Sequence, residues 1–157
     1  EPLPYMRISQ TPRLITGVPI YIGGYPAGFI SGITVQKDLN ITSTIGSIEN
    51  VFTFISETSD VITVKGSIVS QSGVSGGAVV DSNGDLIGIV VTSSTAEKTS
   101  DRTLGAITTD YIQRDFKRQL GISLESFLSY NIYGTIVSFW ETIAPTLTTL
   151  LVNVLSN

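Results

Sequence analysis

The chain has 157 residues, of which 41% are hydrophobic and 14% are charged, and its formal net charge is -4. This size and composition are typical of a globular protein with one sizeable core. The acidic balance excludes nucleic acid as a partner, because the chain has no basic stripe that could neutralise phosphates. The sequence opens on Glu1 without a methionine or a signal segment, so we expect the gene product to begin upstream.

The chain contains no cysteine and no histidine. Disulfides, thiolate metal sites and cysteine nucleophiles are therefore excluded, and the most common ligand of transition metals is missing. The run from Asp81 to Asp85 starts like a calcium loop, but Leu86 and Thr92 stand where that loop needs glycine and glutamate. We expect neither a metal nor another cofactor.

From Val18 to about Thr108 the sequence consists of short β-branched runs separated by turn-forming residues, which predicts antiparallel all-β structure. Asn83 and Gly84 stand between two such runs and predict a tight hairpin. The predicted strands are Pro19 to Gly23, Ile30 to Lys37, Ile41 to Ile48, Val51 to Ser56, Ile62 to Lys65, Ala78 to Asp81, Asp85 to Thr92 and Thr103 to Ile107.

A helix is predicted after the last strand. Either Thr108 or Thr109 can cap its N-terminus, and Gly121 can end it. The apolar residues between these limits recur at helical spacing, as expected for a helix that packs on a barrel.

An apolar tail follows Gly121, with hydrophobic residues at alternating steps of four and three from Ile136 to Val154. This spacing predicts one or two helices, broken near Pro145, that pack on the barrel or on another chain. The alternative is contact with a membrane through residues 132–155. A spanning helix needs about 20 predominantly apolar residues, and this segment contains Glu141 and several threonines.

The run Gly73-Val74-Ser75-Gly76-Gly77 presents a serine between glycines at the entrance of a predicted strand. Glycine permits the sharp turn, and the amides of Gly73 and Ser75 can then stabilise an oxyanion. A serine hydroxyl attacks a carbonyl only when a neighbouring base accepts its proton, and histidine is the usual base. Because the chain has no histidine, the pattern indicates half of an active site.

The run from Gly73 to Val80, followed by Asn83 to Ile89, resembles the nucleophile segment of trypsin-like (chymotrypsin-fold) serine peptidases, especially the compact bacterial HtrA-type branch. The resemblance covers residues 1–120, including the segments 3–8, 17–28 and 105–107. In that family two β-barrels face each other, the first with histidine and aspartate and the second with serine. The resemblance implies that residues 1–120 form the second barrel, an antiparallel Greek-key barrel of six or seven strands with a closing helix. Residues 121–157 would then be a helical apolar tail.

The resemblance also assigns roles to individual residues. It implies that Ser75 is the nucleophile and that Gly73 and Ser75 supply the oxyanion hole. The strand edge that pairs with the substrate backbone would be Val91, Thr92 and Ser93. Val69 matches the floor of the primary specificity pocket, which would favour small or medium aliphatic side chains, although Val69 could equally be plain core.

These observations support two hypotheses of different classes. The first is a serine endopeptidase acting on polypeptides, with the histidine and aspartate on an upstream segment or a separate chain, so that this chain is inactive alone. The second is a catalytically inactive barrel that acts as a binding or scaffold module. A Ser-Lys dyad with Lys65 or Lys98 is a distant third option. We expect an extracytoplasmic or secreted location, which the lack of cysteine permits.

Overall fold

The computed structural model describes residues 5–25, 41–66, 69–70, 73–94, 96–98, 101–129 and 132–155. It contains seven strands and four helices within these ranges. The strands are β1 (Pro19–Gly24), β2 (Thr42–Ser47), β3 (Asn50–Phe52), β4 (Val61–Lys65), β5 (Ala78–Val80), β6 (Leu86–Ser93) and β7 (Thr103–Thr108). The helices are α1 (Thr109–Leu120), α2 (Leu124–Ser129), α3 (Ile132–Thr142) and α4 (Ala144–Leu155).

All seven strands form one antiparallel sheet in the order β2-β1-β5-β6-β7-β4-β3. The two edge strands are consecutive parts of one bent segment. The Ile48 amide donates to the Val18 carbonyl at 3.0 Å, and the next amide, that of Glu49, donates to the Thr63 carbonyl at 2.7 Å. The segment that contains β2 and β3 therefore stops pairing with β1 and starts pairing with β4 within two residues. This change of partner curls the sheet into a barrel.

The connectivity is a Greek key. Strands β5, β6 and β7 follow one another as neighbours, and β4, which precedes them in the chain, lies beside β7. This confirms the predicted antiparallel Greek-key barrel followed by a helix. The predicted strand from Ile30 to Lys37 lies outside the described residues.

One predicted strand is wrong over about two thirds of its length, because only its first two residues lie in β3. The prediction ran from Val51 to Ser56, but β3 ends at Phe52 and a turn follows. The Asp60 carboxylate accepts hydrogen bonds from the Phe54 amide and from the Thr58 hydroxyl, which bends the chain back on itself. This bend depends on a carboxylate several residues further along the chain, so the β-branched run of 51–56 did not indicate it.

The barrel core follows from the alternation of side chains along each strand. In β1, for example, Ile20 and Ile22 are buried while Tyr21 between them is exposed. The same alternation in β4 buries Ile62 and Val64. The core consists of the fully buried side chains of Ile20, Ile22, Ile48, Ile62, Val64, Val69, Val74, Val79, Ile87, Val90, Leu104 and Ala106.

Helix α1 begins and ends as predicted. The Tyr111 amide donates to the Thr108 hydroxyl oxygen at 3.1 Å, so Thr108 is the N-cap rather than Thr109. The Thr108 hydroxyl itself donates to the Ser59 carbonyl at 2.6 Å, which ties the start of the helix to the loop before β4. At the other end Gly121 has a φ of 74°, and its amide donates to the Lys117 carbonyl at 2.9 Å.

A buried ion pair also attaches α1 to this loop. The Asp60 side chain is completely buried and bonded to the Arg114 guanidinium, whose side chain is 34% exposed. Burial raises the pKa of the Asp60 carboxyl, but hydrogen bonds from the Phe54 amide, the Thr58 hydroxyl and Arg114 outweigh it and hold the pKa below its ordinary value. Asp60 therefore remains a carboxylate at neutral pH.

The chain divides into two compact units, Glu1–Arg114 and Asp115–Asn157. In the second unit the rings of Phe116 and Phe127 lie 5.3 Å apart. Helices α3 and α4 meet at Ile143 with a bend of 48°. Neither helix alone is long and apolar enough to cross a membrane, whereas the bent pair has the length and composition to do so. The boundary predicted at residue 120 remains a prediction.

Candidate active site

The loop of residues 73–77 is joined to β6 by paired backbone hydrogen bonds. The Gly76 amide donates to the Val90 carbonyl at 2.8 Å, and the Val90 amide donates to the Gly77 carbonyl at the same distance. Within the loop the Gly77 amide donates to the Val74 carbonyl at 2.9 Å, which closes a tight turn around Ser75. The turn is therefore held on a central strand of the barrel.

The same loop packs on the backbone at the end of β1, and glycine makes this approach possible. A Cβ added at Gly77 would lie 2.7 Å from the Gly23 carbonyl oxygen and 2.9 Å from the Val74 carbonyl oxygen. A Cβ added at Gly24 would lie 2.8 Å from a methyl carbon of Val74, whose side chain is buried. This glycine contact was not predicted from the sequence, although the Gly-Gly pairs at 23–24 and 76–77 were a signal that could have indicated it.

Ser75 and the adjacent Gly76 are exposed, although Val74 before them and Gly77 after them are buried. Its hydroxyl donates to the Val91 carbonyl with an Oγ to O distance of 3.4 Å, which is long for a hydrogen bond between oxygens. Gly73 and Gly76, which flank it, have φ values of 91° and 89° that other residues rarely adopt. The glycines thus shape a turn that leaves the hydroxyl accessible and weakly held.

The first three amides of this loop differ from the last two. Those of Gly76 and Gly77 donate to backbone carbonyls, whereas those of Gly73, Val74 and Ser75 donate no backbone hydrogen bond to any described residue. The two predicted oxyanion donors, the amides of Gly73 and Ser75, therefore have hydrogen-bonding capacity left within the part of the chain that the structure describes. An oxyanion hole requires such donors.

Strand β6 has an open edge next to Ser75. It pairs with β7 from Gly88 to Ser93, with a bulge between Val90 and Thr92, but its pairing with β5 involves only Leu86 to Ile89. Within the described ranges, no strand pairs with the β5 side of Val91, Thr92 and Ser93. This edge can accept an extended peptide by β-augmentation.

Val69, the predicted pocket floor, is fully buried and belongs to the barrel core. Its side chain is therefore not at a surface in this structure. The flanking residues 67–68 and 71–72 lie outside the described part of the chain. The specificity role of Val69 remains a prediction, and its alternative role as plain core agrees with its burial.

No base for Ser75 is found among the described residues. Its one hydrogen-bond partner there is the Val91 carbonyl, and neither Lys65 nor Lys98 bonds to it. The dyad hypothesis thus has no support in these contacts.

The described ranges contain no group of three histidine, cysteine, aspartate or glutamate side chains that could hold a metal ion.

Comparison with solved structures identifies the fold. A structure of the M. tuberculosis protease Rv3671c in its active form matches 78% of this chain with a TM-score of 0.52 and 22% identity. A variant of the HtrA-type protease AlgW, solved with a decapeptide, matches 77% with the same TM-score and 23% identity. The fold is trypsin-like.

The matches cover only part of the solved proteins. This chain spans 50% of the Rv3671c structure and 35% of the AlgW structure. No protein-family model matches the sequence, and no curated protein does. At these identities the similarity establishes the trypsin-like barrel and not the activity.

Proposed function

We propose that this chain supplies the nucleophile half of a serine endopeptidase. In this reaction Ser75 Oγ forms a bond to the carbonyl carbon of a peptide, and its proton passes to a base. The peptide C–N bond then breaks as the base returns the proton to the leaving amine, and water releases the acyl group by the same route. The donors to the oxyanion would be the amides of Gly73 and Ser75.

The observation that carries this proposal is the accessible Ser75 hydroxyl on a glycine turn whose neighbouring amides are not used by the described fold. The trypsin-like fold supports it, because the solved proteins that share this fold are proteases. The open edge of Val91, Thr92 and Ser93 would hold an extended polypeptide next to the hydroxyl. A carbonyl such as that of Val91 cannot remove the proton, so catalysis requires a base from elsewhere.

The partner in this proposal is an N-terminal barrel that carries the histidine and aspartate, either upstream in the same protein or on a separate chain. This fits the share of the Rv3671c and AlgW structures that the present chain covers. Without that barrel we expect this chain to be inactive, because loss of the base removes most of the rate. The proposed compartment is extracytoplasmic or secreted.

A second candidate function is an inactive barrel that binds an extended peptide at β6 without cleaving it. The observations that favour it are the absence of histidine from the sequence and the lack of a base bonded to Ser75 among the described residues. Both functions use the same strand edge. They differ in whether the Ser75 hydroxyl reacts.

The deciding experiment is fluorophosphonate labelling of the chain expressed with its upstream sequence. We expect labelling at Ser75, its loss in Ser75→Ala, and its retention in Ser82→Ala, a matched change at an exposed serine in the β5–β6 turn. A folded extended protein that stays unlabelled at Ser75 would contradict the endopeptidase. Peptide binding without turnover in that same protein would support the inactive module.

A further inference from the structure

Helices α3 and α4 expose their apolar side chains to an unusual degree. Every described side chain from Tyr133 to Leu155 is exposed apart from the half-buried Ala144. The exposed fractions reach 73% for Trp140 and 83% for Leu155. An apolar surface of this kind marks a binding site for another apolar phase or another protein.

Each of the two helices has one wholly apolar face and one mixed face. In α3, Tyr133, Ile136 and Trp140 recur at steps of three and four and share the apolar face. Thr135, Ser138 and Thr142 lie on the opposite face together with Phe139. Glu141, the only charged residue between 132 and 155, lies between the two faces. Helix α4 has Leu147, Leu151 and Val154 on its apolar face, and the pair is almost uncharged.

Hydroxyl groups in both helices satisfy their hydrogen bonds within the helix. Thr142 donates to the Ser138 carbonyl at 2.6 Å, and Thr149 donates to the Pro145 carbonyl at 3.0 Å. A hydroxyl that bonds to a carbonyl one turn earlier can enter an apolar environment at low cost. The faces that carry these hydroxyls are therefore compatible with the boundary between lipid headgroups and acyl chains.

The geometry points to one leaflet of a lipid bilayer as the occupant of this apolar surface. With eleven and twelve residues, α3 and α4 are about 16 and 18 Å long, and each is shorter than a hydrocarbon core of about 30 Å. Joined end to end as one span, they would place Glu141 near the bilayer centre, where a carboxylate is costly. Lying in the interface, the bent pair keeps Glu141 at headgroup level and buries its apolar side.

The charge of this segment predicts which lipids it binds. No lysine or arginine follows Arg118, so the segment has no cation to attract anionic headgroups. The binding free energy must come from apolar area alone. We expect binding to neutral phosphatidylcholine vesicles that is insensitive to salt and to anionic lipid.

The chain contains a single tryptophan, Trp140, whose emission reports on this surface. Adding phosphatidylcholine vesicles to the full chain should shift the emission to the blue. Lipids brominated near the headgroup should quench it more than lipids brominated at the chain ends. The partition coefficient should change less than twofold when the salt concentration is raised to about 0.5 M. It should also change less than twofold when anionic lipid is added to the vesicles.

Matched variants test the orientation. Leu147→Asp places a charge on the apolar side of α4 and should lower the partition coefficient about tenfold or more, whereas Thr149→Asp adds the same charge on the polar side and should change it less than threefold. The milder Leu151→Ser should lower it in a chain whose far-UV circular dichroism is unchanged. These readouts do not depend on Ser75 or on peptidase activity.

Three results would overturn the inference. No blue shift with vesicles, combined with a dimer in sedimentation equilibrium, would assign the surface to a second copy of the chain. Strongest quenching by lipids brominated at the chain ends would indicate a deep span instead of an interfacial pair. Binding only to anionic vesicles, lost with salt, would show that electrostatic attraction and not apolar area drives it.

Discussion

The barrel and the C-terminal helix pair use apolar residues in opposite ways. In the barrel the side chains alternate between a closed core and the outer surface, so β1 and β4 each bury every second residue. In α3 and α4 apolar side chains as large as Trp140 and Leu151 are exposed. The hydrophobicity of a residue alone therefore does not show whether its side chain stabilises the fold or is available to a partner.

The largest expected effect compares leucine deletions in the two regions. Leu104 is fully buried in β7, and Leu104→Ala should lower the free energy of unfolding by about 2–5 kcal/mol through lost transfer energy and an unfilled cavity. The matched Leu151→Ala in α4 should change it by less than about 0.5 kcal/mol. Urea unfolding followed by far-UV circular dichroism measures both. Equal losses of unfolding free energy in the two variants would show that Leu151 stabilises the fold as much as Leu104 does.

The next effect concerns the buried ion pair that joins α1 to the loop before β4. Asp60→Asn removes the buried carboxylate that Arg114 contacts and should cost about 1.5–3 kcal/mol, the contribution of hydrogen bonds to a charged group, because the remaining Arg114 is 34% exposed. Asp110, an exposed partner of the same arginine at 3.4 Å, offers the matched control Asp110→Asn, which should cost less than about 1 kcal/mol. The thermal unfolding temperatures of the two variants measure this difference between a buried and an exposed partner of Arg114.

The same pair predicts a pH dependence with a definite sign. The folded pKa of Asp60 is lowered, so its contribution is fully present above the unfolded pKa of about 3.9 and is lost as the pH falls through the folded value. The stability difference between the parent chain and Asp60→Asn should therefore be constant near neutrality and shrink in acid. A difference that grew as the pH fell would contradict this assignment.

The smallest effect concerns the turn that presents Ser75. Gly77→Ala introduces a Cβ against two backbone carbonyls that cannot yield, and overpacking of this kind costs about 1–3 kcal/mol. In the upstream-extended protein it should also abolish fluorophosphonate labelling by displacing the turn. The control Gly84→Ala has a φ of 83° but open space around it, so it should cost about 1 kcal/mol and leave labelling intact. Labelling retained in Gly77→Ala would show that the contact with β1 is dispensable.

The β5–β6 hairpin shows how local signals predicted much of the fold. Asn83 and Gly84 indicated a turn, and the structure has one, with Gly84 at positive φ. The turn is longer than a two-residue loop because the Asp81 carboxylate accepts hydrogen bonds from the Asn83 and Asp85 amides at 2.9 and 3.0 Å. Hairpins depend on residues close in sequence, so sequence patterns predict them well.

The amino-acid sequence by itself determined the alternation that builds the sheet, a helix start at Thr108 or Thr109, the helix end at Gly121 and the glycines around Ser75. Only the tertiary structure decided that Gly77 packs on Gly23, that Asp60 ends β3 early and that no described strand pairs with the β5 side of Val91 to Ser93. The first group depends on backbone preferences within a few residues. The second depends on contacts between segments far apart in sequence, for which no local pattern is required.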